Sequence, residues 1–171
     1  MKEEQVILVD REDRELGVME KLQAHREARL HRAISIFVFN ETDQLLMQQR
    51  AAGKYHSPLL WTNTCCSHPR PGESTDTAAS RRLQEEMGFG CELRPAFSFI
   101  YQADMGNGLT EHEFDHVFFG EYSREPLINP DEVASWEYLS LYEIAQDLRV
   151  NPGRYTAWFR IIFNKVMELR S

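Results

Sequence analysis

The sequence predicts an α/β protein of the α+β kind, a mixed β-sheet sandwiched between α-helices in a single domain. Two observations point there: strand-like and helix-like segments interleave along the chain, and no composition shift, internal repeat or low-complexity stretch marks a linker. A third sets the scale. With 171 residues, 42% of them hydrophobic and 27% charged, the chain can close one sizeable core, so residues 1–171 are read as one domain.

Taken in order, residues 6–9 (VILV) predict a short strand. Residues 34–39 and 45–49 are apolar runs separated by the polar segment NETDQ, the pattern of a hairpin. Residues 75–87 predict a helix, because Ala79, Leu83 and Met87 recur at four-residue spacing and Gly88 stands where the helix should end. Strands are expected again at 97–101, 113–122 and 136–139, and helices at 141–148 and 155–169.

Charge and cysteine usage narrow the function. A formal net charge of -8 argues against a general nucleic-acid binder, whose affinity comes from Lys and Arg neutralising phosphates. No apolar run approaches a membrane span, and the N-terminal MKEEQVILVD carries acids where a secretion signal would be apolar. A cytoplasmic monomer without membrane or nucleic-acid partners is the expectation. Cys65, Cys66 and Cys91 include one adjacent pair and no C-x-x-C spacing, which fits reduced thiols rather than disulfides or a zinc knuckle.

The segment GESTDTAASRRLQEEMGF, residues 72–89, sets Glu73 at a helix entrance and Glu85 and Glu86 at its end. Carboxylates so arranged can hold a hard divalent ion against phosphate oxygens. Arg82 lies four residues before Glu86, on the same helix face, which is expected to be exposed. Residues 67–89 resemble the Nudix motif G-x5-E-x7-R-E-U-x-E-E-x-G-U, matching it at Glu73, Arg81, Leu83, Glu85, Glu86, Gly88 and Phe89. Ser67 stands in place of the first Gly, and Arg82 in place of a metal-binding Glu. A guanidinium cannot ligate Mg²⁺ but offers a fork of donors to phosphate, so the motif looks built to hold a diphosphate rather than to cut it.

Histidines and acids flank that helix in sequence. His25 and His31 lie in QAHREARLHRAIS, and Cys66 and His68 in WTNTCCSHP. Glu111, Glu113 and Asp115 alternate along LTEHEFDHVFF, on one side of a strand that continues into Val117 and Phe119. Ionised carboxylates running into an apolar wall require a compensating cation. Three imidazoles and two carboxylates suit Zn²⁺, Mn²⁺ or Fe²⁺. His112 and His116 fall on the opposite strand face, and His56 belongs to no such pattern; all three are set aside.

Together these pieces resemble the type I isopentenyl-diphosphate isomerases, a Nudix branch, over nearly the whole chain. The resemblance implies a Nudix-type fold and the following roles. Cys66 is catalytic, together with Glu113 and its hydrogen-bonding partner Tyr101. His25, His31, His68, Glu111 and Glu113 bind one Mn²⁺ or Zn²⁺ (or Fe²⁺). Glu86 and the Cys66 main-chain carbonyl bind Mg²⁺ with the substrate diphosphate. Lys21, Arg50, Lys54 and Arg82 contact that diphosphate, Trp158 covers the hydrocarbon, and Trp61 walls the pocket. The implied activity moves a double bond between isopentenyl and dimethylallyl diphosphate through a tertiary carbocation, by protonation at one carbon and deprotonation two carbons away. A basic neighbourhood is expected to ionise Cys66. Two other classes compete: a Nudix hydrolase of a nucleoside diphosphate derivative, opposed by Arg82, and a non-catalytic Nudix-like binding module, opposed by the joint presence of Cys66, Glu113 and Tyr101.

Overall fold

The computed structural model describes residues 4–170. Its elements run β1 (Gln5–Val9), β2 (Glu15–Glu20), α1 (Lys21–Arg26), β3 (His31–Phe39), β4 (Gln44–Arg50), β5 (Trp61–Thr62), β6 (Cys65–Ser67), α2 (Thr75–Met87), β7 (Leu93–Gly106), β8 (Leu109–Glu121), β9 (Val133–Ser140), α3 (Leu141–Val150) and α4 (Ala157–Arg170). A 3₁₀ turn, Pro152–Arg154, joins the last two helices. The sheet is mixed: β3 pairs in parallel with β8, whereas β1, β4 and β6 meet β3 antiparallel, β7 pairs β8, and β9 pairs β4.

Strand β3 organises the molecule because both of its faces are covered, which is why ISIFVF reads as a continuous apolar run. Ile34, Ile36 and Val38 pack with Ala78, Ala79, Leu83 and Met87 of α2. Phe37 and Phe39 point the other way, into Ile144 of α3 and Phe159, Ile162 and Phe163 of α4. Helix α2 starts at Ser74, whose hydroxyl accepts from Thr77 N at 3.2 Å, and ends at Gly88 in the left-handed region (φ 72).

The sequence pattern located β1, β3, β4, α2, β9, α3 and α4 and missed β2, α1, β5 and β6. Strand β2 buries none of its six residues, while α1 has six residues and β5 and β6 are shorter still. Strands β7 and β8 run well beyond the expected 97–101 and 113–122. They form one long hairpin closed by Asn107 (φ 54) and Gly108 (φ 75), with Gly106 facing Leu109. An Asn-Gly pair of that kind is itself a hairpin signal. Among the described residues, no helix is long and apolar enough to cross a membrane.

Candidate active site and metal centre

The pleat of four adjacent strands assembles the site. Along β3 the side chains of His31 and Ser35 share one face with Phe37 and Phe39. The parallel register sets Glu113 of β8 opposite His31, and the antiparallel register sets Cys66 of β6 opposite Ser35. Strand β7 adds Tyr101 opposite Glu113. The face that is core at one end of β3 is therefore a polar chamber at the other.

In that chamber Tyr101 Oη lies 2.5 Å from Glu111 Oε2 and 2.9 Å from Glu113 Oε1. One phenol proton cannot serve both contacts, and all three residues are buried. Burial opposes the charge on each carboxylate; contacts from His56 and Tyr101 nevertheless hold Glu111 below the usual range, whereas burial and the neighbouring Glu111 charge push Glu113 well above it. Burial likewise keeps the Tyr101 phenol protonated.

Three imidazoles face these acids. His25 Nδ1 sits 2.7 Å from Lys21 O, and His31 Nδ1 2.8 Å from Arg29 O. A carbonyl oxygen only accepts, so both rings carry hydrogen on Nδ1 and present a bare Nε2 when neutral. The Nε2 atoms of His25, His31 and His68 are buried without a hydrogen bond, and the ligand atoms of the three rings lie within 4.8 Å of one another. Glu113 Oε2 is 3.2 Å from His68 Nε2 and 3.8 Å from His31 Nε2. Burial lowers His31 to about 4 and His68 well below its ordinary value, which keeps both lone pairs available at neutral pH. Bare imidazole nitrogens converging beside two buried carboxylates fit a divalent ion that accepts mixed nitrogen and oxygen ligands.

Cys66 faces the same cavity as Glu113, Tyr101 and Trp158. Its sulfur receives the Trp158 indole N–H at 3.1 Å, lies 3.1 Å from Asn63 Oδ1, to which the thiol donates, and is 3.8 Å from Ser35 Oγ. Ser35 in turn donates to Asp115 Oδ2 at 2.6 Å. Lys21, Arg50 and Lys54 line the same cavity, but none of them touches the sulfur. Burial raises the thiol, and the Asp115 carboxyl beside it raises it further.

Cations line the same cavity, and Lys21, Lys54 and Arg82 each lie next to an acid. Lys21 Nζ is 2.5 Å from Glu4 and 4.8 Å from the centre of the Tyr55 ring. Lys54 is 2.6 Å from Glu132. Arg50 stacks over Trp158 at 5.2 Å. Arg82 pairs with Glu86 and with Glu85 at 3.4 Å, and its side chain is only 15% exposed, so that helix face is covered rather than solvated as expected. Buried Glu86 also accepts from Gln48 Nε2 at 2.9 Å.

The structure thus brings Cys66, Tyr101, Glu111, Glu113, His68, Lys21, Arg50, Lys54, Arg82, Glu86 and Trp158 around one cavity, with His25 and His31 behind it. Trp61 is the exception. It packs against the α3–α4 core cluster and bridges to Tyr155, and it is not a wall of the cavity. Sequence reasoning missed His56, whose Nε2 is 3.1 Å from Glu111 Oε1, and also Asn63 and Ser35. For His56 no periodicity offered a signal, because an irregular loop delivers it. His112 and His116 bond to Ala28 O and Asp13, outside this cluster, in line with their strand parity.

The NUDIX domain family matches residues 29–159. The chain is 53% identical over 169 residues to isopentenyl-diphosphate Delta-isomerase 2 of Aromatoleum aromaticum, covering 99% of this chain and 89% of that protein. It is 54% identical over 164 residues to the isopentenyl-diphosphate Delta-isomerase of Pectobacterium atrosepticum, covering 96% of this chain and 92% of that protein. Among solved structures, a Deinococcus radiodurans protein superposes with a TM-score of 0.74 at 22% identity, covering 86% of this chain and 90% of its own. The MutT protein of Methanosarcina mazei superposes with a TM-score of 0.67 at 17% identity, covering 83% and 96%. Those two likenesses concern the fold alone.

Proposed function

The chain belongs to the NUDIX domain family and, within it, to the isopentenyl-diphosphate Delta-isomerases, and from that membership we propose that Cys66, Glu113 and Tyr101 handle the protons as isopentenyl and dimethylallyl diphosphate interconvert. The observation that carries these roles is the shared chamber: the Cys66 sulfur and the Tyr101–Glu113 oxygens border one cavity from strands on either side of β3.

An alkene is a poor base, so the proton must come from a positioned acid and a second proton must leave to a positioned base, with water kept away from the cation between. Glu113, raised by burial and hydrogen-bonded to Tyr101, suits the acid. Cys66 suits the base on the other side; the Trp158 indole N–H is the donor that stabilises a developing thiolate. The indole ring of Trp158 borders the same space and can stabilise the tertiary cation by ~2 kcal/mol.

His25, His31, His68, Glu111 and Glu113 would hold one Mn²⁺, Zn²⁺ or Fe²⁺, which when bound compensates the paired carboxylates and makes their protons more acidic. Glu86 and the Cys66 main-chain carbonyl would hold Mg²⁺ accompanying the diphosphate, a hard ion that prefers oxygen ligands. Lys21, Lys54 and Arg82 anchor the diphosphate by exchanging their carboxylate partners for phosphate oxygens, and Arg50, stacked over Trp158, joins them.

Incubation with isopentenyl diphosphate in heavy water is the direct test. The expected result is dimethylallyl diphosphate carrying deuterium, with no phosphate released. Steady phosphate release without isomerisation would overturn the proposal in favour of a hydrolase.

A further inference from the structure

The geometry points to His56 as a positioning residue that clamps the Glu111 carboxylate opposite Tyr101, which makes it a structural partner of the metal centre and not a ligand. This rests on the metal reading above. His56 is buried, with its Nε2 3.1 Å from Glu111 Oε1 and its Nδ1 3.2 Å from Ser57 Oγ. The ligand atoms of His25, His56 and Glu111 also lie within 4.8 Å of one another, but an ionised carboxylate only accepts hydrogen bonds, so a His56–Glu111 hydrogen bond puts the hydrogen on Nε2. That hydrogen occupies the nitrogen that would otherwise bind metal. His25 and His31 are the reverse case, since main-chain carbonyls take their Nδ1 hydrogens and leave Nε2 bare.

Glu111 is therefore held at both oxygens, by Tyr101 on Oε2 at 2.5 Å and by His56 on Oε1. The ring is itself immobilised. Tyr55 meets it edge-on at 4.3 Å and 75°, and Trp158 at 5.7 Å and 83°. Its main-chain carbonyl accepts from Arg50 Nη2 at 3.1 Å. The loop that delivers it is closed by Arg50 N to Leu60 O (2.9 Å) and Leu59 N to Arg50 O (3.0 Å), and it turns through left-handed backbone at Ser57 (φ 51) and Leu59 (φ 61). One buried residue thereby ties the metal-side carboxylate to the indole wall and to a cation of the diphosphate mouth.

Two measurements decide the matter. Nitrogen-15 NMR of the full chain loaded with Zn²⁺ should show His56 protonated at Nε2 and His25 protonated at Nδ1; a His56 ring bare at Nε2 overturns the proposal. Competition with a chromophoric chelator should show Zn²⁺ held about 10- to 100-fold more weakly by His56→Ala. His56→Gln, whose amide can still donate to Glu111, should come within a few-fold of the wild type, and kcat should recover with it. Unchanged affinity in His56→Ala, or no rescue by a folded His56→Gln, refutes the clamp. If His56→Ala does not fold, the glutamine variant and the tautomer decide. Failure of the underlying metal reading looks different: the wild type would take up no stoichiometric ion, or His31→Ala would bind it as well as the wild type does.

Discussion

Asn63 donates both hydrogens of its amide to main-chain carbonyls, Ile36 O at 3.0 Å and Cys65 O at 3.1 Å, so its Oδ1 can only face Thr62 Oγ1 and the Cys66 sulfur. Asn63→Ala should therefore do two things at once. It leaves two buried carbonyls unpaired, at a cost of about 1–3 kcal/mol, and it frees the sulfur from a fixed acceptor, so turnover should fall as the melting temperature drops. Cys66→Ala should separate these effects by abolishing turnover while the melting curve stays near that of the wild type; wild-type turnover in that variant would remove Cys66 from the mechanism. Arg82→Glu should weaken diphosphate binding at least about tenfold by putting an anion where a charge-assisted pair is lost, roughly 1.5–3 kcal/mol. Because Arg82 is surrounded by Glu85, Glu86 and Glu132, the variant should also lose stability, which a denaturant titration beside the binding assay would register.

At the scale of elements, α2 holds the site through its two ends. A Cβ at Gly88 would come 2.3 Å from Leu127 O, with the backbone already at φ +72. Gly88→Ala should therefore destabilise by about 1–3 kcal/mol, read as an earlier urea midpoint. At the other end Arg81 grips Glu73 through two hydrogen bonds of 2.8 and 2.9 Å. That grip, with an Arg70 N–H, holds the Glu73 carboxyl below its ordinary value of 4.5. A carboxylate depressed in the folded state stabilises above its unfolded pKa and loses that contribution as pH falls through the folded value. Glu73→Gln should thus cost about 1–2 kcal/mol at pH 7, and the gap to the wild type should close as the pH is lowered below 4.5. A gap independent of pH would show that packing, not charge, is what the substitution removes.

For the whole molecule, the decisive feature is that one face of β3 serves as both core and site. Buried acids and imidazoles continue directly into Phe37, Phe39 and Val117, so the chamber's polar groups bear on global stability. An ion bound only by the folded chain stabilises by mass action, about 2.7 kcal/mol at a hundredfold excess over Kd. Chelation should accordingly lower the melting temperature of the wild type and leave that of His31→Ala unmoved; an equal shift in both would place the ion elsewhere.

What could be seen in the sequence and what could not follows one physical line. The continuous apolar run of β3, the four-residue spacing in α2, the E-x-E alternation of β8 and the diverged helix motif with Arg82 are local patterns, set by backbone periodicity and side-chain chemistry within a few residues, and they sufficed for the fold class and the family and singled out most residues that line the candidate site. His56, Asn63 and Ser35 have no such pattern. They reach the chamber through a closed loop, the two-residue connection between β5 and β6, and a strand register, which bring together residues far apart in sequence. Trp61 shows the converse, since a tryptophan inside the most telling motif suggests a pocket wall, whereas its partly buried ring packs against the α3–α4 core cluster. Local chemistry determined which residues are candidates for the site. Only the pairing of β3 with β6 and β8 decided which of them meet, because contact across strands depends on register and loop closure, which residue identity alone does not specify.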